Sequence, residues 1–529
     1  MTNDFTRDGQ LQRLCDHRGR WDIIVIGGGA TGVGVALDAA TRGYQVALLE
    51  QHDFGKGTSS RSTKLIHGGV RYLQQGNVGL VREALHERGL LCENAPHLVR
   101  RLPTIIPLYK WWEPSYYWLG LKAYDRLAGR LSLGKSSFLT AEETAAELPT
   151  IRRAGLRGGI RYYDANFDDA RLLINLAQTA VAHGAVCLNY ARVHQLTRRG
   201  GKISGVRATE IETGSELELE AAVVVNAAGP FSDGVRRLEG TPQRDWIVPS
   251  QGAHVVLDRE FLPSESAMIV PWTSDGRVIF AIPWQGHTLV GTTDTPLAEA
   301  PLEPLPRREE IDFLLNTVGD YLERRPTWSD IRSTFAGVRP LVRADGTENT
   351  AKLARDHMIR VSDAGLVSIL GGKWTIFRRM AQDCVDHAAQ VGGLPAAPCM
   401  TEKIPIADGS ADEAAGVSKA LLPMYGAAAV DVTRLVQSRP EHFEQLDQRL
   451  PYVVGEAVWA VRHEMARTVE DVLARRLRML FLNASAALAA APRVAKVLAE
   501  ELGHDDAWQA RQIEDFRQAA RGYLAETIG

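Results

Sequence analysis

A glycine-rich turn near the start of the chain places the tightest limit on its fold. The apolar run 21–26 (WDIIVI) is typical of a buried strand, and the motif Gly27-x-Gly29-x-x-Gly32 follows it directly. A helix from about Gly29 to Arg42 and a second strand from Gln45 to Leu49 complete a βαβ unit. Glycines at this spacing let the backbone approach a pyrophosphate at a helix N-terminus, and Glu50, after the second strand, can accept hydrogen bonds from ribose hydroxyls. The pattern predicts a dinucleotide-binding site.

The later glycine segments favour a flavin nucleotide over a nicotinamide nucleotide. The next apolar strand that ends in glycine, Val223–Gly229, follows only after a long intervening stretch, and the pair Gly371-Gly372 comes later still. A nicotinamide-binding domain usually completes its sheet from contiguous chain, whereas this spacing indicates a sheet that is split around an inserted domain. The sequence holds no second GxGxxG motif. The electron acceptor is therefore expected to be something other than NAD.

Composition and charge exclude several other classes. The 529 residues are 45% hydrophobic, which is enough for a sizeable core without disulfide or metal staples. Lys and Arg number 61 against 64 Asp and Glu, and this balance argues against a nucleic-acid-binding surface over the whole protein. The five cysteines are scattered without redox or metal-ligand spacing, so we expect reduced thiols, a cytosolic compartment and no metal site. Since no secretory signal and no apolar run of about 20 residues is visible, no spanning helix is predicted.

Hydrophobic periodicity predicts further elements in the middle of the chain. Asp168-Asp169 precede an amphipathic helix, and Gly184 ends it. Turns divide the following segment into an antiparallel meander of three strands: Val186–Leu196, Ile203–Ile211 and Glu216–Glu220. A separate strand is predicted at Ala222–Ala227.

Several motifs together resemble one known family. The glycine motif and the long block from Thr58 to Leu73 (TSSRSTKLIHGGVRYL) are similar to those of FAD-dependent glycerol-3-phosphate dehydrogenases. The other segments that resemble this family are Asp168–Leu172, Gly291–Asp294, Gly337–Leu341, Arg355-Asp356 and Gly371–Thr375. The resemblance covers about residues 20–529. One departure is Ile376-Phe377, where relatives often carry Thr-Tyr, so one or two hydroxyls near the flavin are missing here.

The resemblance implies an α/β fold in three parts. These are an FAD-binding Rossmann-like domain of the glutathione-reductase superfamily type, an inserted antiparallel-sheet substrate domain and an α-helical C-terminal domain. Residues 1–20 are expected to form an N-terminal arm, 21–402 the oxidoreductase region and 403–529 the helical domain. The FAD-binding segments are expected at about 21–75, 165–235 and 330–402. The substrate-binding segments alternate with them, at about 76–164 and 236–329.

The family's reaction sets the expected activity and cofactor. It oxidises sn-glycerol 3-phosphate to dihydroxyacetone phosphate by hydride transfer to FAD, and electrons pass to membrane quinone, or to oxygen in the related oxidases. By resemblance, the residues that line the flavin are Gly27, Gly29, Gly32, Glu50, Thr58, Ser59, Lys64, His67, Gly68, Gly229, Asp294 and Thr375.

The substrate's phosphate and hydroxyl call for cations and a proton acceptor. Among the residues in the matching motifs, Arg71, Tyr72 and Lys373 are assigned to the phosphate, because arginine forks and a lysine charge suit its oxygens. Arg339 is expected to contact the phosphate or the C2 oxygen, and Arg355 to orient either end.

His254 is the candidate proton acceptor, since an unperturbed imidazole titrates near pH 6.5. The alternative is a histidine packed against a sheet and bonded to backbone. His67 is the second candidate, although its loop favours backbone contacts near the flavin. Arg339 lies in an apolar segment, where a buried charge needs an anionic partner. Asp294 and Asp356 are expected to be structural partners of such bases rather than acid catalysts.

An aromatic segment indicates contact with a membrane surface. Six of the ten residues 109–118 are aromatic, against 7% in the whole chain. The flanking bases are Arg100, Arg101, Lys122, Arg126 and Arg130. Rings with nearby cations suit the lipid headgroup layer, so we expect residues around 109–121 to attach the protein peripherally to the inner face of the cell membrane. The alternative is burial in the core or at a dimer interface.

Two rival functions stay open at this point. One is an amino-acid or hydroxy-acid oxidoreductase of the same fold, which would need a carboxylate clamp and no phosphate site. The other is a flavin-binding scaffold without turnover that binds partners through its helical tail. A homodimer is expected from the family alone.

Overall fold

Two β-sheets and a series of helices make up the computed structural model, which describes residues 5–69, 77–240, 244–271, 273, 276–343, 357–407 and 421–528. In chain order, the strands are β1 (Trp21–Ile26), β2 (Val46–Leu49), β3 (Leu65–Ile66), β4 (Arg100–Leu108), β5 (Ser137–Leu139), β6 (Gly158–Asn166), β7 (Val186–Leu188), β8 (Ala191–Arg199), β9 (Lys202–Glu210), β10 (Glu216–Asn226), β11 (Ile247–Asp258), β12 (Ala267–Val270), β13 (Ile279–Trp284), β14 (His287–Gly291), β15 (Thr295–Pro296), β16 (Ile331–Val342), β17 (His357–Val361) and β18 (Leu366–Gly371). The α-helices are Arg7–Asp16, Ala30–Thr41, Val78–Asn94, Glu113–Ala128, Ala141–Glu147, Asp169–Ala182, Ser232–Arg237, Arg308–Gly319, Phe377–Gly392, Leu422–Tyr425, Ala429–Gln437, Val454–His463, Met479–Leu482, Ala484–Leu502 and Asp506–Ala520.

The first sheet is built around the glycine turn. Its strand order is β17-β18-β10-β1-β2-β7; the pairs from β18 to β7 are parallel, whereas β17 is antiparallel to β18. The central strands are buried on both faces, which explains their continuous apolar sequences. Helices that include Ala30–Thr41 and Asp169–Ala182 cover one face, and residues of β8, β9 and the first half of β10 pack against the other. The predicted βαβ unit is confirmed, with a helix slightly shorter than expected.

Strand β10 corrects the predicted division of the meander. The sequence indicates separate strands at Glu216–Glu220 and Ala222–Ala227, but Glu216–Asn226 is one continuous strand. Its first half pairs antiparallel with β9 and alternates in burial, while its second half is buried and pairs parallel with β1. The change from alternating to continuous apolar residues therefore reflects a change in what the strand packs against, and the strand itself is not interrupted. Conversely, the predicted strand Val186–Leu196 divides at Asn189–Tyr190, where Tyr190 has a φ of 55°.

The second sheet is the inserted, mainly antiparallel one. Its order is β15-β11-β14-β13-β12-β4-β6-β3, with β16 beside β11 and β5 beside β6. The pair β12 and β4 is parallel, which the sequence does not predict. Strands β11 and β16 pair along most of their length, so that Ser250 faces Arg339 and His254 faces Phe335. This register brings two predicted site residues onto neighbouring strands.

The C-terminal helices pack directly onto the second sheet. Val256, Trp284 and Phe335 of the sheet share one buried cluster with Phe481 and Ala487. The helical region therefore completes the core behind the sheet. Within the described ranges, no helix is both long and apolar enough to cross a membrane.

Candidate active site

The glycine turn forms a tight junction between β1 and the helix Ala30–Thr41. A Cβ atom on Gly32 would lie 1.9 Å from the carbonyl oxygen of Gly27, and one on Gly27 would lie 2.7 Å from that of Ala227. Only glycine allows the helix to start this close to the strand. The hydroxyl of Ser59 accepts a hydrogen bond from the backbone N–H of Ala30, at 2.9 Å, and so joins the loop after β2 to the helix N-terminus.

Glu50 occupies the position predicted for a ribose acceptor. Its carboxylate accepts hydrogen bonds from the backbone N–H groups of Gly28, at 2.6 Å, and His52, at 2.8 Å. Burial raises the pKa of the Glu50 carboxyl, while these two N–H donors favour its charged form. The side chain is held against the glycine turn, where it also faces an open space.

That space, here called the glycine cavity, has a volume of about 450 Å³ and is lined by Gly27, Gly29, Glu50, Ser59 and Gly229. A helix N-terminus, close backbone and a carboxylate acceptor are the groups that a dinucleotide's pyrophosphate and ribose need. The residues present therefore fit an FAD.

A second space, here called the histidine cavity, has a volume of about 470 Å³, and Thr63, His67, His254 and Arg339 are among its lining residues. Both cavities share a wall, which consists of Thr58, Pro340, Gly371, Gly372, Lys373 and Trp374. A nucleotide in the glycine cavity thus ends beside the polar groups of the histidine cavity. The shared wall is where we expect chemistry to take place.

His254 is held on β11 by an aromatic ring and a hydroxyl. Its side chain is buried, and its ring stacks on Phe335 with centroids 4.6 Å apart and planes 11° apart. Its Nε2 lies 3.0 Å from the Thr63 hydroxyl oxygen. Burial, together with the Lys64 and Arg339 cations, holds the pKa of His254 well below its usual range. The imidazole is therefore uncharged at neutral pH, and the same surroundings make it a weaker base than a free imidazole.

Arg339 extends from β16 into the histidine cavity and has an internal anionic partner. Its Nη1 lies 3.1 Å from Asp294 Oδ1, and its Nη2 donates to the Thr293 carbonyl at 2.9 Å and to the Thr292 hydroxyl at 3.2 Å. The expected role of Asp294 as a structural partner is confirmed. Asp294 lines the histidine cavity, and the hydroxyl of Ser250 donates to it.

The structure groups most of the remaining predicted residues around the shared wall. Thr58 and Lys373 line both cavities. His67 and Thr375 line the histidine cavity, and the backbone N–H of His67 donates to the Thr375 hydroxyl at 3.3 Å.

Three predicted cofactor residues line neither cavity. Gly32 packs against the turn behind the glycine cavity. Gly68 donates its N–H to the Tyr124 hydroxyl at 2.8 Å. The Lys64 side chain forms a buried ion pair with Asp169, at 2.6 Å, because an ammonium removed from water needs a carboxylate. The Lys64 side chain is therefore held in an internal ion pair, and its predicted place beside the flavin stays a prediction.

Four residues named in the sequence analysis cannot be placed. Arg71, Tyr72 and Arg355, predicted for the substrate, lie outside the described residues, as does Asp356.

Sequence reasoning missed several polar side chains of the histidine cavity, among them Arg61, Thr63 and Arg277. Arg61 pairs with Glu303 at 2.6 Å, and Thr63 contacts His254. Arg61 and Thr63 both lie inside the block from Thr58 to Leu73. The mixture of hydroxyl and basic side chains in this block is the sequence signal that could have identified them.

A glycine-turn nucleotide site on a split parallel sheet, with a polar cavity against a second sheet, defines an FAD-dependent oxidoreductase. Residues 22–376 match the family described as FAD dependent oxidoreductase, and residues 365–509 match the C-terminal domain of alpha-glycerophosphate oxidase.

Individual relatives narrow this class. The probable mitochondrial glycerol-3-phosphate dehydrogenase of Caenorhabditis elegans is 41% identical over 94% of this chain and 73% of its own length. The mitochondrial enzyme of Homo sapiens is 39% identical over 97% of this chain and 75% of its own length. The crystal structure of the glycerol-3-phosphate dehydrogenase from Bacillus halodurans, complexed with FAD, has a TM-score of 0.82 and 31% identity, and it covers 100% of this chain and 99% of its own. The chain belongs to the FAD-dependent glycerol-3-phosphate dehydrogenase family.

Proposed function

We propose that this protein oxidises sn-glycerol 3-phosphate to dihydroxyacetone phosphate and passes the electrons to membrane quinone. The observation that carries this proposal is the shared wall between the two cavities, where Lys373 borders both the nucleotide space and the space that contains His254 and Arg339. The relatives named glycerol-3-phosphate dehydrogenases support the choice of substrate. A phosphate ester with a secondary alcohol is the substrate that cations and a neutral base suit.

Bound FAD supplies the hydride acceptor for the hydrogen on substrate C2. The chain supplies the acceptor for the hydroxyl proton, which we assign to Nε2 of His254. Loss of the hydride and of this proton converts the C2 alcohol to a ketone. Because Thr63 lies 3.0 Å from this nitrogen, its hydroxyl orients the imidazole edge in the cavity.

Among the described residues, the basic side chains that line the histidine cavity include Arg61, Arg277, Arg339 and Lys373. Arg339 and Arg61 each have a carboxylate partner, Asp294 and Glu303 respectively, so their net field is reduced and their role is to direct N–H groups. Lys373 is a point charge at the junction, and we assign it to the phosphate. The predicted phosphate contacts of Arg71 and Tyr72, and the orienting role of Arg355, remain part of the proposal.

An exposed aromatic surface supports docking on a lipid bilayer. Trp111 is 78% exposed, Tyr116 50% and Leu119 77%. The opposite side of the helix Glu113–Ala128, including Tyr117 and Leu121, is buried against the second sheet. Leu121, at the end of the segment expected to contact the membrane, therefore belongs to the core and not to this surface.

Cations accompany these exposed rings. The Lys122 ammonium lies 4.0 Å from the centroid of the Trp118 ring, which stacks on Phe138. Rings and cations together suit the headgroup layer, where quinone is accessible. We place the protein peripherally on the inner face of the cell membrane, and a homodimer remains a proposal.

The test is the visible spectrum of the purified protein under anaerobic conditions, before and after addition of sn-glycerol 3-phosphate. We expect the flavin bands to bleach, and a soluble quinone analogue to restore them faster than oxygen does. Faster recovery with oxygen would favour an oxidase. A flavin that only amino acids or 2-hydroxy acids bleach would contradict the proposed substrate, and one that none of these compounds bleaches would favour a scaffold without turnover.

A further inference from the structure

The segment Asp53–Leu65 contacts both cavities. Its residues 55–59 line the glycine cavity, and Arg61–Thr63 line the histidine cavity. Any displacement of this segment would therefore move cofactor-side and substrate-side groups together. The support for the segment comes largely from its other side, where the C-terminal helical region contacts it.

Two arginines of that region hold the start of the segment. Arg475 donates from Nε to Asp53 at 2.6 Å, and Arg476 donates from Nη1 and Nη2 to both oxygens of the same carboxylate, at 2.8 and 2.9 Å. All three side chains are buried. Burial opposes ionisation of Asp53, but the two guanidinium groups outweigh it and lower the pKa of this carboxyl. The C-terminal region thus attaches to the segment through a fully internal ionic contact.

A second attachment lies at the end of the segment and centres on Asp169. This carboxylate accepts hydrogen bonds from the Ser62 backbone N–H, at 2.9 Å, from Lys64 Nζ, at 2.6 Å, and from Arg478 Nη2, at 3.1 Å. The same Nη2 of Arg478 donates to the Ser60 carbonyl at 2.8 Å. Arg478 therefore contacts the segment directly and also through Asp169.

Thr63 stands between the two residues that Asp169 holds. Its hydroxyl is the group 3.0 Å from Nε2 of His254. On the other side of the imidazole, Phe335 packs with Phe481 of the C-terminal region, and the Lys64 ammonium lies 5.2 Å from the Phe335 ring centroid and 5.3 Å from that of Phe481. Thr63 thus holds the edge of the imidazole and Phe335 holds its face. Both are next to the cluster formed by Lys64, Asp169, Arg478 and Phe481.

We propose that Arg478 is a positioning residue, through which the C-terminal helical region holds residues 60–64 and, by way of Thr63, sets the orientation of His254 for proton transfer. This inference rests on the proposed function in one respect, the role of His254 as the proton acceptor. The C-terminal helical region then contributes to proton transfer, although Arg478 lies far from Thr63 and His254 along the sequence.

The test separates charge from geometry. Arg478→Lys keeps a positive charge beside Asp169 but loses the planar fork, which bonds the Ala474 carbonyl from Nη1, at 2.7 Å, while Nη2 bonds Asp169 and Ser60. Thr63→Val removes the hydroxyl at nearly constant volume, and Thr63→Ser restores it. Arg7→Lys is the matched control, because Arg7 is likewise buried and paired with the carboxylates Glu210 and Glu212, yet lines neither cavity.

The measured quantities are bound FAD, thermal unfolding, and the limiting rate and half-saturating concentration for anaerobic bleaching by sn-glycerol 3-phosphate across pH. We expect Thr63→Val and Arg478→Lys each to lower the limiting rate by about tenfold, with FAD retained and the half-saturating concentration little changed. The double variant should be no slower than the slower single variant, because both act through one contact. Both should shift the pH profile in the same direction. Thr63→Ser should recover most of the rate that Thr63→Val loses, and Arg7→Lys should keep the wild-type rate and profile.

Several results would overturn the inference. If the rate reduction in the double variant equals the product of the two single reductions, the two residues act independently. A wild-type rate in the FAD-bound fraction of Arg478→Lys, with lower thermal stability alone, would reduce Arg478 to a support of the fold. Should Arg478→Lys not fold, Ser62→Ala takes its place, since it removes a 2.7 Å bond to Asp169 from the opposite partner.

Failure of the proposed function has a different signature. In that case the wild-type flavin would not bleach with sn-glycerol 3-phosphate at all. A crystal structure of Arg478→Lys would still decide the positioning claim, because an unchanged distance between Thr63 and His254 would refute it and a lengthened one would support it.

Discussion

Replacing Gly32 with alanine should abolish tight FAD binding through one unavoidable contact. The new Cβ would lie 1.9 Å from the Gly27 carbonyl oxygen, whereas real Cβ contacts are essentially never under 3.0 Å, so the helix start must move by about 1.1 Å. Pyrophosphate hydrogen bonds of about 2.9 Å would lengthen to about 4 Å and cease to be hydrogen bonds. Each bond to a charged group contributes about 1.5–3 kcal/mol, so the loss of two weakens binding by about 3–6 kcal/mol, or roughly 10²–10⁴-fold.

The assay is titration of flavin-free protein with FAD, followed by quenching of flavin fluorescence. Gly79→Ala is the matched control, since a Cβ there meets nothing within 4 Å and the residue lies in the helix Val78–Asn94. It should bind FAD as the wild type does. A dissociation constant for Gly32→Ala within about threefold of wild type, a difference of less than 1 kcal/mol, would refute the argument that the turn geometry positions the pyrophosphate.

Three further predictions follow from the cavity and from the exposed helix. Arg339→Gln should keep bound flavin but slow anaerobic bleaching roughly 100-fold, because it removes the charged donor beside the C2 oxygen or the phosphate; loss of flavin would mean that Arg339 supports the fold instead. Since the folded-state pKa of His254 lies below its ordinary value of 6.5, the unfolded state takes up the proton first as the pH falls. The neutral imidazole's contribution to the free energy of unfolding is therefore complete above about pH 6.5, and it decreases below that pH by at most about 1.4 kcal/mol per pH unit. Between pH 7 and pH 5, the unfolding temperature of His254→Gln should fall less than that of the wild type. Trp111→Ser with Leu119→Ser should reduce sedimentation with anionic vesicles, whereas Phe443→Ser, at a side chain 54% exposed in the C-terminal region, should not. Equal losses would contradict a docking surface formed by Trp111 and the helix Glu113–Ala128.

The residues around the first turn were predictable because their roles depend on near neighbours. The apolar strand, the glycine spacing and Glu50 lie within about thirty residues, and strand, turn and helix signals of this kind are local. The glycine cavity could therefore be anticipated from the chain alone. His254 could also be proposed from the sequence, because an imidazole titrates near neutral pH. Its stacking on Phe335 and its contact with Thr63 could not.

The exposed and buried faces of the aromatic segment required the folded structure. The composition of residues 109–118 indicates an interface, but the helix places Tyr117 in the core and Tyr116 in solvent. Successive residues on a helix differ by about 100° in direction, so composition cannot assign faces until the helix is docked against the sheet.

By itself, the sequence determined the nucleotide turn, the alternation of strand and helix around it, and the candidate residues of the cavity. Only the tertiary structure determined which charged side chains form ion pairs. Lys64, predicted for the flavin, pairs with Asp169, 105 positions away, and Asp169 in turn meets Arg478, 309 positions further on. The physical reason is that turns and periodic faces are set by neighbours along the chain, whereas a buried charge is satisfied by whichever opposite charge the packing brings within about 3 Å.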